Sequence, residues 1–536
     1  MIRAVQQATN LVGAAVVVAR RGMFNPLRPG EALRGFSDVR RYGTFGGLAR
    51  HAAARYGDAP AITDEAGTLS FRQVEASSNA LARGLRTHGV EPGTVVAMLG
   101  RGHHATMLTL MAANKVGARL VLMNTGFAGP QLADVCAREG VGALVADQEY
   151  LGLLDAIPEQ IPRILAWSED SPPLPAVEQL VVGHSPQPLP APLKPGGLVL
   201  LTSGTTGTPK GAPRDRVNPL QTAQLLDRIP WPAGNTYCVA APLFHGTGLA
   251  TCSLGLALGS RVVLTRRFDP ESTLAAVAEH RAATLILVPT MLQRILDLGP
   301  DVLARYDTSS LRVILAAGSA LSPGLCERTL DTFGDVLYNL YGSTEVAIGA
   351  VATPAELRAA PGTVGRPPIG CALAVYDSDR RRVSEPGRTG TLFVSSGLSF
   401  SGYTDGRNKE TVDGLLSTGD TGHFDCNGLW FVDGRDDDMI VSGGENVFPQ
   451  EVENLLSDHP DIVEATVVGV DDPDFGKRLA AYVVKHPGSA LDADAVKAHV
   501  RAHLARHKIP RDVVFVDQLP RNETGKVVKA KLGESQ

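Results

Sequence analysis

The chain has 536 residues, of which 44% are hydrophobic and 20% charged, with a formal net charge of −5. That length exceeds one ordinary core and predicts two or more domains, while the mild acidity argues against nucleic acid as a main partner. Cys136, Cys238, Cys252, Cys326, Cys371 and Cys426 stand singly, without a C-x-x-C pair, so neither a zinc site nor a disulfide framework is supported and a reducing cytosol is expected. In chain order, Leu11–Ala19 is an apolar run flanked by Arg3 and by Arg20–Arg21. It is shorter than the ~18 residues of a membrane span. No A-x-A cleavage site follows it, which speaks against a signal peptide. A helix or strand packed on the domain and a peripheral membrane helix with basic flanks both stay open.

Residues 44–150 alternate helical and strand-like patterns: a helix over Phe45–Tyr56, a hairpin over Ala61–Ser70 and a helix over Phe71–His88. A strand follows at Val95–Met98, a helix at His104–Val116 and a strand at Ala118–Met123. Residues 143–146 and 163–167 add short strands. This rhythm predicts parallel sheet with helices on its faces. Proline-rich Ser171–Gly197 reads as a connecting loop. Thr236–Ala241 and Arg261–Leu264 read as strands around a helix near Gly248–Leu258. Leu285–Pro289, Val313–Ala317 and Val336–Leu340 are buried-strand candidates that run into glycine or polar residues, where ligands collect in open α/β sheets. Residues 451–536 predict a small α+β unit. Its helices are Pro449–Asp458 and Asp492–Arg506, and its strands Ala465–Val470, Ala480–Val484 and Val513–Val516.

The stretch Leu198–Ala212 (LVLLTSGTTGTPKGA) organises the rest. An apolar strand ends in hydroxyls and glycines with one lysine. Thr202, Ser203, Thr205, Thr206 and Thr208 offer hydroxyl donors. Gly204, Gly207 and Gly211 let backbone approach a ligand, and Lys210 brings positive charge. Successive N–H groups in such a loop make an anion cradle suited to polyphosphate. A P-loop is excluded, because Lys210 follows Pro209 and precedes Gly211 where that motif needs Gly and Ser or Thr.

The run TSGTTGTPKGA resembles the phosphate loop of the adenylate-forming superfamily, which includes acyl-CoA synthetases, peptide-synthetase adenylation domains and firefly luciferase. Other stretches match that superfamily in the same order: PLFHGTG (Pro242–Gly248), AAGSA (Ala316–Ala320), NLYGSTE (Asn339–Glu345), STGD (Ser417–Asp420), GRDDDMIVSGGENVFPQE (Gly434–Glu451) and PRNETGKVVKAK (Pro520–Lys531). The resemblance implies ATP, Mg²⁺ and coenzyme A as partners of the reaction. It implies that His245 lines the acyl and carboxylate pocket beside Phe244, Gly246 and Leu249, and that Gly318 and Ser319 border adenine and the acyl tunnel. Asn339 would bond the adenine edge, Tyr341 stack on adenine, and Leu340 and Gly342 complete that turn. Thr344 would contact the α-phosphate and Glu345 hold Mg²⁺. Asp420 would accept both ribose hydroxyls, and Arg435 would bond ribose and phosphate. Asp437 would be the hinge, Ser442, Gly443 and Gly444 would approach pantetheine, and Lys526 would be the catalytic lysine.

The implied fold is an α/β large N-terminal domain with layered sheets and helices (44–435) plus a small mobile α+β C-terminal domain (436–536), preceded by an extension (1–43). The implied reaction is activation of a carboxylic acid, foremost a fatty acid, as acyl-AMP with loss of pyrophosphate. Acyl transfer to CoA follows, with rotation of the small domain between the steps. A carnitine-like, aromatic or short-chain acid, a carrier protein as acceptor, and a non-catalytic nucleotide-binding scaffold are the alternatives. Peripheral membrane contact and a homodimer stay open. Two stretches depart from the family pattern, Pro213–Arg214 and Asn114–Asn124 (NKVGARLVLMN), and neither is expected to touch the chemistry.

Overall fold

Short runs of valine, isoleucine and leucine, buried on both faces, build two largely parallel sheets. The computed structural model describes residues 12–23, 29–169, 173–202, 209–214, 219–400, 402–436, 440–442, 445–472, 476–522 and 526–532. One sheet has the strand order Ala350–Ala352, Leu337–Tyr341, Val313–Ala317, Thr284–Leu287, Thr236–Val239, Arg261–Leu264, Pro60–Asp64 and Gly67–Ser70. It is parallel throughout except for the pair at each edge. The other runs Arg163–Leu165, Val141–Ala146, Val95–Leu99, Arg119–Leu122, Leu198–Thr202 and Lys210–Pro213, and only its last pair is antiparallel.

The helix His104–Val116 is buried from Ala105 to its end. A helix apolar on every side belongs between two layers. Side chains of both sheets, such as Ile62 and Val239 of one and Val96 and Leu120 of the other, share its core. Asn114 and Lys115, in the stretch that departs from the family, serve this packing. Asn114 accepts the Phe45 N–H at 3.1 Å, and Lys115 Nζ donates to Glu75, Ser78 and Asn79 at 2.6, 2.7 and 2.8 Å.

A third sheet, antiparallel and not anticipated from the sequence, joins Ala372–Tyr376, Gly390–Ser395, Leu415–Phe424 and Trp430–Arg435, with short strands at its edges. The smaller unit pairs Ile462–Asp472 with Gly476–Lys485 and lays Asp512–Phe515 parallel to the latter. The helices Pro449–Ser457 and Ala493–His503 cover it through Val452, Leu456, Val496 and Val500. This is the two-part α/β architecture expected.

Residues 12–20 form a helix that packs on the large domain. Ala14 is buried, Gly13 abuts Ile369, and Arg21 donates to the carbonyls of Leu226 and Asp227. No helix among the described residues is long and apolar enough to cross a membrane. The helix Pro29–Tyr56 begins before the expected Phe45 and breaks at Gly43, where φ is +78°. There it folds back on itself. A Cβ on Gly47 would lie 2.5 Å from the Val39 backbone, and Arg50 pairs with Asp38 at 3.0 Å.

All six cysteines are free. Cys426 is exposed, Cys371 half-buried and the others buried. Burial pushes the thiols of Cys136 and Cys326 up to about 11 and those of Cys238, Cys252 and Cys371 up to about 12.

Candidate active site

The carboxyl ends of the parallel strands open into one cleft of about 3640 Å³, several times the ~300–1,000 Å³ of an ordinary ligand pocket. Thr236–Val239 leads to Phe244 and His245, Thr284–Leu287 to Val288, Val313–Ala317 to Gly318 and Ser319, and Leu337–Tyr341 to Gly342, Thr344 and Glu345, all of which line it. From the second sheet, Leu198–Thr202 delivers Thr202, which pairs across the ladder with Lys210. The strands on either side of the phosphate loop, Leu198–Thr202 and Lys210–Pro213, thus pair antiparallel. Ser203, Gly204, Thr205, Thr206 and Gly207 of that loop lie outside the described residues, as do Asp437, Gly443 and Gly444.

The turn after Leu337–Tyr341 is tight. A Cβ on Gly342 would lie 1.9 Å from the Ala347 carbonyl oxygen, so only glycine fits there. Glu345 is buried. Its carboxylate accepts from Tyr403 Oη at 2.6 Å and Ser343 Oγ at 2.8 Å. Burial pushes this carboxyl up, but those two bonds and the charge of Lys409 outweigh it and hold the pKa below the ordinary 4.5. No cluster of three or more His, Cys, Asp or Glu able to hold a metal exists among the described residues. One anionic carboxylate fits Mg²⁺, which keeps several waters and binds through one or two carboxylates plus substrate phosphates.

Asp420 and Arg435 face each other on paired strands, with Arg435 Nη1 donating to Asp420 at 3.3 Å. Tyr341 Oη donates to the other Asp420 oxygen at 2.7 Å, so Tyr341 braces this carboxylate as well as lining the cleft. Burial raises the Asp420 pKa, and the Tyr341 bond and Arg435 oppose that. Asn339 is buried and donates to the Thr363 carbonyl at 3.1 Å, and Leu340 lines the wall beside it.

His245 sits at the N-terminus of the helix Gly246–Ala257, its ring 4.5 Å from that of Phe244. Its Nε2 is buried without a partner. Burial, then the charge of Lys526, brings its pKa down to about 4, so the imidazole is neutral at physiological pH. Lys526, from the last described segment, enters the cleft among these groups. It is accessible from the open cleft yet walled by protein, and this burial lowers its pKa, with Arg435 adding to the effect and Asp420 and Glu345 opposing it. His245, Asp420, Arg435 and Lys526, spread over 281 positions of the chain, thus line one cleft, although no local pattern links them.

Two residues of this site were not anticipated. Tyr403 is buried, and Lys210 Nζ lies 4.9 Å from the centre of its ring. Arg214, expected to stand apart, instead donates to the backbone carbonyls of Thr344 and Leu398 and lines the cleft. Burial brings its pKa down to about 10, with Glu345 opposing. Its position directly after the short strand Lys210–Pro213 gave no sign of this.

The family profile described as AMP-binding enzyme matches residues 49–404, and that of the AMP-binding enzyme C-terminal domain matches 451–526. The chain is 33% identical over 472 residues to indoleacetate–CoA ligase of Aromatoleum aromaticum, covering 86% of this chain and 92% of the relative. It is 34% identical over 481 residues to feruloyl-CoA synthase of an Amycolatopsis species, covering 88% and 95%. Among solved structures, o-succinylbenzoate CoA synthetase of Bacillus subtilis, in complex with its acyl-adenylate, superposes with a TM-score of 0.79 at 26% identity, covering 91% of this chain and 98% of that one. The chain belongs to the AMP-binding enzymes of the adenylate-forming superfamily and is an ATP-dependent, AMP-forming acid–thiol ligase.

Proposed function

We propose that the acid is a fatty acid of medium to long chain and that CoA is its acceptor. The observation that carries this reading is the apolar lining beyond His245. Leu249, Leu254 and Ala257 carry it along the helix Gly246–Ala257, and Met23, Leu48 and Ala52 line the same cleft. That helix of 12 residues spans about 18 Å at 1.5 Å per residue, a length that suits an extended aliphatic chain better than one ring. A second reading, an aromatic acid, is supported by the substrates in the names of the two relatives.

A carboxylate oxygen attacks the α-phosphorus of ATP, the bond to the β-phosphate bridging oxygen breaks, and pyrophosphate leaves. Lys526 stabilises charge between carboxylate and α-phosphate as it develops, while the neutral His245 lines the seat of the carboxylate. Lys210 faces the departing pyrophosphate. Asp420 and Arg435 hold the ribose and Asn339 the adenine edge. Glu345 would hold Mg²⁺, which supplies charge neutralisation at phosphate oxygens when bound. The CoA thiolate then attacks the adenylate carbonyl and AMP leaves.

The test is pyrophosphate release with Mg-ATP, CoA and a panel of C8–C18, indoleacetic, ferulic and benzoic acids, with products identified by mass spectrometry. We expect acyl-CoA from the aliphatic acids, and a Leu254→Trp variant that prefers shorter chains than wild type. Turnover confined to the ring acids would overturn the fatty-acid reading.

A further inference from the structure

We propose that Tyr403 is a positioning residue that ties the two ends of the phosphate site together, its hydroxyl fixing the Glu345 carboxylate and its ring face fixing the Lys210 ammonium. This deepens the reading above and rests on it. The hydroxyl lies 2.6 Å from Glu345 Oε1 and the ammonium 4.9 Å from the ring centre. One side chain therefore holds an anion at its tip and a cation on its face.

The tyrosine is itself held. It is 8% exposed, and its ring meets Phe400 edge-on at 4.7 Å and 70°. The backbone on either side is laced to the same two partners. The Phe400 N–H donates to the Glu345 carbonyl at 2.7 Å, and the Thr404 N–H donates to the carbonyl of Gly211, the residue after Lys210, at 2.9 Å. Arg214, on the strand that leaves Lys210, adds its bonds to the carbonyls of Leu398 and Thr344. Leu398, Phe400 and Thr404 thus tie the strand Lys210–Pro213 to the Glu345 turn, with Tyr403 as the inward side chain among them.

Both fixed groups need such a support. Ser343 Oγ holds Glu345 Oε2 at 2.8 Å and Tyr403 holds Oε1, so each oxygen is anchored while keeping lone pairs for a cation. Lysine carries its charge on a flexible four-carbon stem, and an aromatic face restricts where that charge rests. Preorganised charges avoid reorganisation when pyrophosphate departs.

Phenylalanine keeps the ring and removes the hydroxyl, whereas leucine removes both, so the two roles separate. The experiment is calorimetric titration of ATP without acid, over a range of Mg²⁺ concentrations, for wild type, Tyr403→Phe and Tyr403→Leu. Melting temperatures and pyrophosphate release are measured alongside. For Tyr403→Phe, the Mg²⁺ concentration giving half-maximal ATP affinity should rise about tenfold, as for loss of a hydrogen bond to a charged group, while affinity at saturating Mg²⁺ stays within about twofold. Tyr403→Leu should also lose about tenfold in ATP affinity at saturating Mg²⁺, as Lys210 is released. An unchanged Mg²⁺ midpoint in Tyr403→Phe overturns the proposal, as do equal losses in both variants that track their melting temperatures. If Tyr403→Leu does not fold, the Tyr403→Phe midpoint decides alone. A wild type that binds Mg-ATP yet releases no pyrophosphate with any acid would remove the underlying reading, whereas failure of the Tyr403 inference leaves wild-type release intact.

Discussion

Lys526 reaches the cleft with its charge opposed by Arg435 and supported by Asp420 and Glu345. In the proposed mechanism it bridges the carboxylate and the α-phosphate. Lys526→Ala should abolish acid-dependent pyrophosphate release and still convert preformed acyl-AMP to acyl-CoA; equal loss of both half-reactions would refute that division. A pH effect belongs to His423, whose ring bonds the Asp433 carboxylate at 2.9 Å. That bond lifts the histidine above its ordinary 6.5, burial opposing. Stability from a raised histidine is fully present below the unfolded value and is lost as pH rises through the folded one. Thermal melting should therefore fall as pH rises above the ordinary histidine value of 6.5, and Asp433→Asn should flatten that slope. At this scale Lys526, Asp420, Arg435 and Glu345 were grouped from their motifs, and the fold brings all four to one cleft. Tyr403 was not, because it acts through Glu345, 58 residues away, and nothing local marks a tyrosine between glycine and threonine as a brace.

Among the elements, the helix His104–Val116 sets the distance between the two parallel sheets and carries a buried lysine near its end. Lys115 is 2% exposed and Glu75 14% exposed, with 2.6 Å between the charges. Burial brings the Lys115 pKa down to about 8, with Glu75 opposing. Breaking a buried pair by removing one partner leaves an uncompensated charge, so Lys115→Met should destabilise the large domain by about 3 kcal/mol, read as a lower urea midpoint. Replacing Glu75 as well, by leucine, should recover part of that loss. This helix and the strand Val313–Ala317 were read from the sequence with their observed limits, since their apolar pattern reflects burial alone. Leu415–Phe424 was not read as a strand. Its residues LLSTGDTGHF serve a site as well as a sheet, and the polar and glycine positions hide the alternation. Lys210–Pro213 escaped for the same reason, its glycine and proline suggesting a turn. The fold-back at Gly43 was hidden because close helix packing needed glycines that look like a loop.

Across the whole molecule, the orientation that puts Lys526 in the cleft is held by contacts between the small and large units. Asp458 follows the helix Pro449–Ser457 and accepts the N–H of Gly324, in the first turn of the helix Pro323–Phe333. An anion at a helix N-terminus is stabilised there, and a Cβ on Gly324 would lie 2.2 Å from Asp458 Oδ1. Asp458→Ala should slow adenylation by about fivefold while leaving acyl transfer from preformed acyl-AMP unchanged, measured as separate half-reactions. The cysteine pattern gives a way to test whether the small unit rotates between the two half-reactions. Maleimide chemistry needs a thiolate, and five of the six thiols are kept protonated by burial, leaving Cys426 exposed in the turn between the strands Leu415–Phe424 and Trp430–Arg435. The natural chain therefore offers one selectively addressable anchor for a dye on the large domain. A single cysteine introduced on the small domain would complete a donor–acceptor pair, and a rotation of that domain between half-reactions would then be read as a change of distance in real time, without first stripping the protein of its own thiols.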